Sequence, residues 1–145
     1  MKKLLLLLLL GIIPNIIFSQ TIEFDTTCFC SDIIVKANEQ GLYVVETMQI
    51  YPGESNDSFK EFIENNTSFQ DTDNGTIMVY FTINCEGNTC GRNVKVFEGT
   101  FSDASIQSIK LSLNNMQKWI PGKQRNKIVD VRYARGFTVI NGKIK

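Results

Sequence analysis

Four cysteines carry most of the chemistry this sequence could do. Cys28 and Cys30 are separated by one residue, and Cys85 and Cys90 bound the turn-rich loop Cys85-Glu86-Gly87-Asn88-Thr89-Cys90. In an oxidising compartment such thiols pair, and four of them allow three connectivities that spacing does not choose among. The short loop makes a local Cys85–Cys90 bridge the first expectation. Cys28 and Cys30 share one face of an extended piece, so the alternative is two long bridges from that pair to the loop. A four-thiolate zinc site is the metal reading, for which one residue between the first pair and four between the second is poor spacing. Histidine is absent, which removes Ser-His-Asp and Cys-His catalysis and the commonest metal ligand. No carboxylate pair in a defined frame, Gly-rich phosphate loop or nucleophile beside a base stands out. The expectation is therefore a protein that is not an enzyme and uses no cofactor, metal or small-molecule substrate.

The charge balance points the same way. Lys+Arg and Asp+Glu both number 15, a formal net charge of zero. No global positive field steers the chain to nucleic acid or to an anionic membrane. With 145 residues, 43% hydrophobic and 21% charged, the chain has the composition of one globular domain with a core. Its first residues read as a targeting segment over 1–19. A basic Met1-Lys2-Lys3 precedes the apolar run Leu4 to Leu10 with Ile12-Ile13, and Pro14 interrupts the run before Ile16-Ile17-Phe18-Ser19-Gln20. The run falls short of the ~20 residues that span a bilayer, and cleavage is expected between Ser19 and Gln20. The mature chain is then exported, periplasmic or secreted.

The elements that must position these residues follow from periodicity. Residues 20–40 read as an N-terminal extension packed on the domain. Gly41 to Tyr51 is rich in β-branched and aromatic residues and reads as a strand ended by Pro52-Gly53. Ser55-Asn56-Asp57 offers N-caps to a helix over Ser58 to Asn66, whose Phe59, Phe62 and Ile63 form one buried face. Thr76 to Asn84 is the strongest strand and reads as central. Ile77, Val79, Phe81 and Ile83 share one of its faces. Arg92 to Gly99 pairs back on it as a hairpin. Ser102-Asp103 caps a second helix whose stripe is Ile106, Ile109, Leu113 and Met116, and which is expected to end at Trp119. Pro121-Gly122 suits a tight turn. Lys127 to Tyr133 then alternates as a strand, continued over Gly136 to Gly142 past a bulge at Ala134-Arg135-Gly136. The fold class is α+β, a two-layer sandwich with a small antiparallel sheet and two amphipathic helices on one face.

Six pieces occur in the order found in TonB C-terminal domains. They are Val45-Glu46-Thr47-Met48-Gln49-Ile50-Tyr51-Pro52-Gly53, Phe62-Ile63-Glu64-Asn65-Asn66, the central strand with Cys85-Glu86-Gly87, Val94-Lys95-Val96, Trp119-Ile120-Pro121-Gly122-Lys123, and Val129-Asp130-Val131-Arg132-Tyr133. The chain resembles that family over about Gly41 to Gly142, so 41–145 is expected to be a TonB C-terminal-like domain. The Trp-x-Pro-Gly-Lys piece with the strand after it is the most specific part. Two departures are visible. Phe69-Gln70 stands where the family has a Tyr-Pro pair, and three prolines in the whole chain leave no long Pro-rich linker. The resemblance is thus to a free-standing domain rather than to a complete energy transducer.

The resemblance implies a periplasmic binding module whose partner is a protein, an outer-membrane TonB-dependent receptor. The receptor's extended N-terminal box would add as a strand to an exposed β-edge, here mapped to Ile128, Val129, Asp130, Val131, Arg132 and Tyr133. Trp119, with Pro121 and Gly122, would lock the end of the second helix onto the sheet. The alternative expectation is a self-associating envelope protein, a homodimer through its edges, that keeps the fold without energy transduction.

Overall fold

The computed structural model describes residues 27–30, 34–35 and 47–145. The expected signal peptide over 1–19, most of the extension over 20–40, and residues 41–46 of the expected first strand lie outside the described residues.

The longest apolar alternation in the chain builds the middle of the sheet. Strand β2, Asn74–Ile83, buries Ile77, Val79, Phe81 and Ile83 completely on one face. Strand β3, Thr89–Thr100, returns antiparallel on one side of it, and β6, Asp130–Ile140, lies antiparallel on the other. Two short pieces flank β6. They are β1, Ile34–Val35, parallel to its start, and β7, Lys143–Ile144, antiparallel to its end. The strand order is β1-β6-β2-β3, with β7 also on β6. A separate ribbon, β4 (Lys123–Gln124) with β5 (Lys127–Ile128), precedes β6.

The helices form where periodicity and caps agree. α1, Ser58–Asn66, starts at Asp57, whose carboxylate accepts the Lys60 N–H, and it buries Phe59 and Ile63. α2, Asp103–Asn114, starts at Ser102, whose hydroxyl accepts the Ser105 N–H, and it buries Ile109 and Leu113. Both helices pack on the Ile77/Val79/Phe81/Ile83 face, joined there by Tyr51, Trp119, Phe137 and Val139. The architecture is α+β, a small and mostly antiparallel sheet with two helices.

Four expectations are corrected. α2 ends at Asn114, not at Trp119, because the Asn115 N–H turns back to the Ser112 carbonyl and Asn114-Asn115 are poor helix formers. Pro121-Gly122 makes no tight turn. Ile120 and Lys123 instead exchange backbone bonds with Ile50 and Thr47, while the turn falls at Arg125 and Asn126, both at positive φ (50° and 59°). The strand expected over Lys127 to Tyr133 is split, since Val129 donates back to the Gly122 carbonyl between β5 and β6.

The bulge at Ala134-Arg135-Gly136 is absent. The β2–β6 register runs unshifted from Gly75↔Val139 to Ile83↔Val131. One inserted residue would swap faces and turn Phe137 and Val139 out of the core. The irregularities lie between β2 and β3 instead, at Thr76/Ile77 and Tyr80/Thr82.

Candidate functional site

The cysteines pair across the fold. Cys28 bonds Cys90 with Cα atoms 6.2 Å apart, and Cys30 bonds Cys85 at 5.8 Å. The two long bridges therefore replace the expected local Cys85–Cys90 bridge. The β2–β3 turn explains the choice. Asn84 Oδ1 accepts the Glu86 and Asn88 N–H groups, and the Asn84 carbonyl accepts that of Gly87. This holds Cys85 within the turn, whereas Cys90 sits in the ladder opposite Thr82.

Asp130 completes the arrangement. Its carboxylate is fully buried and accepts the Cys85 N–H at 2.7 Å and the Cys30 N–H at 3.2 Å. The Cys30 sulfur lies 3.6 Å from the same carboxylate. Both sulfurs near Asp130 are consumed in a disulfide, so this trio offers no thiolate to a metal.

Trp119 is 5% exposed and sits inside an aromatic cluster, with ring centroids 4.9 Å from Tyr133, 5.1 Å from Tyr51 and from Phe59, and 5.6 Å from Phe81. The Trp119 backbone N–H donates to the Gly87 carbonyl at 2.9 Å. Gly87 has φ +80°, and a Cβ there would lie 2.0 Å from the Trp119 carbonyl oxygen. Glycine is therefore what lets the turn approach the indole segment. Trp119 ties the segment after α2 to the sheet and to the β2–β3 turn, while α2 itself has already ended. Gly122 is buried for the same kind of reason: an added Cβ would lie 3.1 Å from the Thr47 carbonyl oxygen and 3.2 Å from Val131.

The six residues expected to form a docking edge do not form one. Ile128 belongs to β5 and pairs with Lys123, and Val129 is buried between the two strands. Asp130 and Val131 are already paired with Ile34 and Val35 of β1 on the outer side of β6. Arg132 and Tyr133 lie beyond that pairing.

Among the described residues, no strand pairs with the outer side of β6 further along, until its end. β7 covers its end, where the Thr138 carbonyl accepts the Lys145 N–H at 3.0 Å. Antiparallel strands alternate which residues bond to which side, and the β2–β6 register is unbroken. Thr138 faces outward, so Gly136 and Ala134 do too, while Phe137, Arg135 and Tyr133 bond to β2. Among the described residues, no strand pairs with the stretch between Tyr133 and Phe137 on that side. Ala134 and Gly136 are exposed and carry the smallest side chains. Each presents an N–H and a C=O to whatever lies alongside.

A cavity of about 270 Å³ lies against this stretch, walled by Gln49, Tyr51, Asp57, Trp119, Tyr133 and Arg135 among others. Asp57 and Arg135 close it with a two-pronged ion pair, Arg135 Nη1 donating to Oδ1 at 2.6 Å and Nη2 to Oδ2. The guanidinium holds the Asp57 carboxyl below the usual carboxylate range, and the carboxylate in turn raises Arg135. Burial pushes the Tyr133 phenol up. Among the described residues, two buried polar atoms of residues that line it have no hydrogen-bond partner, Gln49 Oε1 and Trp119 Nε1, and neither is accessible to solvent. Reasoning from sequence missed both the cavity and the Ala134/Gly136 opening, because they depend on contacts between segments distant in sequence, such as β1 with β6 and Asp57 with Arg135.

Compared with known protein families, with curated proteins and with solved structures, the chain finds no match.

Proposed function

We propose that this chain is a binding module that accepts an extended peptide from a protein partner as an added strand along the outer side of β6. The observation that carries the reading is that, among the described residues, no strand pairs with β6 between β1 and β7, where Ala134 and Gly136 turn their backbone groups outward. A strand placed there would form up to four main-chain hydrogen bonds, each contributing about 0.5–1.5 kcal/mol. The two short flanking strands fix how long that segment is and stop it from sliding. The resemblance to TonB C-terminal domains makes the N-terminal box of an outer-membrane TonB-dependent receptor the favoured partner, and the basic, apolar first residues favour an exported, periplasmic or secreted setting. The docking stretch moves from Ile128–Tyr133 to Tyr133–Phe137, since β1 occupies the earlier positions. Titration of the oxidised protein with receptor-box peptides, followed by amide NMR, tests it. Shifts concentrated at Ala134 and Gly136 support the reading, and their absence at saturating peptide overturns it.

One observation favours a second reading, self-association. β3 is the opposite margin of the sheet, pairs among the described residues with β2 alone, and carries Phe97 at 69% exposure. A long margin with an exposed ring invites pairing with a second copy. In that case the peptide titration is silent and sedimentation depends on protein concentration.

A further inference from the structure

Gly136 is a glycine that the fold itself does not require. The other described glycines either hold a positive φ or, at Gly122, would set an added Cβ 3.1 Å from a carbonyl oxygen. Gly136 has no positive φ, and beyond its chain neighbours an added Cβ would meet only the Thr76 methyl, at an ordinary contact distance of 3.6 Å. A glycine within a strand gives up backbone entropy and packs nothing. Where neither backbone nor packing asks for one, it marks a place that another chain approaches closely. Gly136 lies in the Tyr133–Phe137 stretch, with its N–H and C=O turned outward.

Its neighbours specify what comes close. Gly136 pairs with Met78, Ala134 with Tyr80 and Thr138 with Thr76, all on the sheet face opposite Ile77, Val79 and Phe81. The helices pack on the other face. Gly136 is exposed and Met78 half-buried. With a methyl at Ala134 and no side chain at Gly136, a shallow trough crosses β6 from its outer side toward Met78. In an added strand, the residue opposite Gly136 projects to this same face. Its strand runs two spacings from β2, about 10 Å, so a threonine or valine stops short of Met78 while a planar ring spans the glycine. A thioether is a favourable neighbour for a ring, and an aromatic cross-strand partner compensates a glycine that packs nothing. In that row the first charged side chain is Lys95, beyond Met78 and three spacings away. Neither an acidic nor a basic residue therefore gains a close partner there.

We propose that Gly136 is the floor of a subsite for an aromatic side chain, phenylalanine or tyrosine, of the docked strand, whose ring lies over the glycine toward Met78. The inference rests on strand addition along β6 and adds to it the register and the residue class of the peptide.

Blocked eight-residue peptides of alternating threonine and valine test it, with one central valine replaced by phenylalanine, leucine or alanine. Affinities for the oxidised protein are read by calorimetry. The phenylalanine peptide should bind about fivefold tighter than the alanine peptide, the scale of one aromatic cross-strand contact, and measurably tighter than the leucine peptide. In Gly136→Val the new side chain fills the floor, and the phenylalanine preference should collapse toward one. Gly136→Ala should be no less stable to urea than the parent protein, because the fold leaves room for a Cβ there. Leucine or alanine peptides that bind as tightly as phenylalanine, a preference that survives in Gly136→Val, or a clear loss of stability in Gly136→Ala overturns the subsite while leaving strand addition standing. No binding by any peptide at millimolar concentration overturns both.

Discussion

Asp73 shows how much a single carboxylate can organise here. It is 1% exposed, and its oxygens accept the Gln70 N–H at 2.8 Å, the Ser102 N–H at 2.7 Å and the Ser105 hydroxyl. Burial pushes its pKa up, but the hydrogen bonds from Ser105, Ser102 and Gln70 outweigh burial and leave it below the ordinary value of 3.8. Asp57 is lowered too, chiefly by Arg135. A carboxylate whose native pKa is depressed stabilises the fold fully above its unfolded value, and that contribution is lost as pH falls through the native value. We predict that stability, followed by Trp119 fluorescence in urea, holds from neutrality to about pH 5 and then falls. Asp73→Asn should cost about 1–3 kcal/mol at pH 7 and flatten the acid limb. An unchanged acid limb in that variant would contradict this role.

At this scale the sequence was partly legible. The one tryptophan at the end of an apolar stripe is in the core, and Asp57 and Ser102 cap the helices as their types suggest. Asp130 was illegible. It sits in an alternating strand where a polar residue reads as solvent-facing, and its acceptors' partners, the Cys30 and Cys85 amides, lie 100 and 45 residues away.

Among elements, β1 depends most on its surroundings. A two-residue strand has little stability of its own, and this one is held by the Cys28–Cys90 and Cys30–Cys85 bridges, with sequence separations of 62 and 55, and by Asp130. Closing a loop of that size stabilises by about 4 kcal/mol for the first bridge in the chain-entropy account. A non-reducing peptide map should yield those two crosslinks, and reduction should lower the guanidinium midpoint and expose the Val131 amide region to exchange. A Cys85–Cys90 peptide in that map would contradict the pairing.

The opening on β6 makes its own prediction. The Gly136 N–H faces away from β2, so Gly136→Pro removes a donor without cutting the β2 ladder. It should weaken peptide binding about tenfold or more by losing one bond and blocking close approach, a change calorimetry reads directly. Unaltered affinity would move the docked strand elsewhere.

The two helices were legible because caps and a 3.6-residue stripe coincide, and β2 because its alternation is long, whereas the described part of the strand expected over Gly41 to Tyr51 makes only isolated bridges at Thr47 and Ile50. The strand expected to continue to Gly142 instead ends at Ile140, where Asn141-Gly142, both at positive φ (50° and 71°), forms a two-residue hairpin turn into β7. Arg125-Asn126 carries no glycine, so the β4–β5 turn offered no comparable signal.

For the whole molecule, the sheet's two outer sides differ in kind. The β6 side is bounded by β1 and β7 and lies beside a cavity. The β3 side runs for 12 residues with Phe97 outward. If β3 drives self-association, sedimentation velocity should show a concentration-dependent dimer that Phe97→Lys abolishes while peptide affinity at β6 stays the same. A monomer at every concentration removes that reading. The α+β class was legible from the order of elements. The place of the opening was not, since it depends on where β1 pairs with β6, a contact between segments distant in sequence.

The central claim is that the outer side of β6 is open between its two flanking strands and closes over an added strand. Amide hydrogen exchange of the oxidised protein, residue by residue, tests this most directly. Ala134 and Gly136 should exchange much faster than Tyr133, Arg135 and Phe137 in the free protein, and slow by at least tenfold with saturating receptor-box peptide. Equal protection of all five amides before any peptide is added would contradict the account.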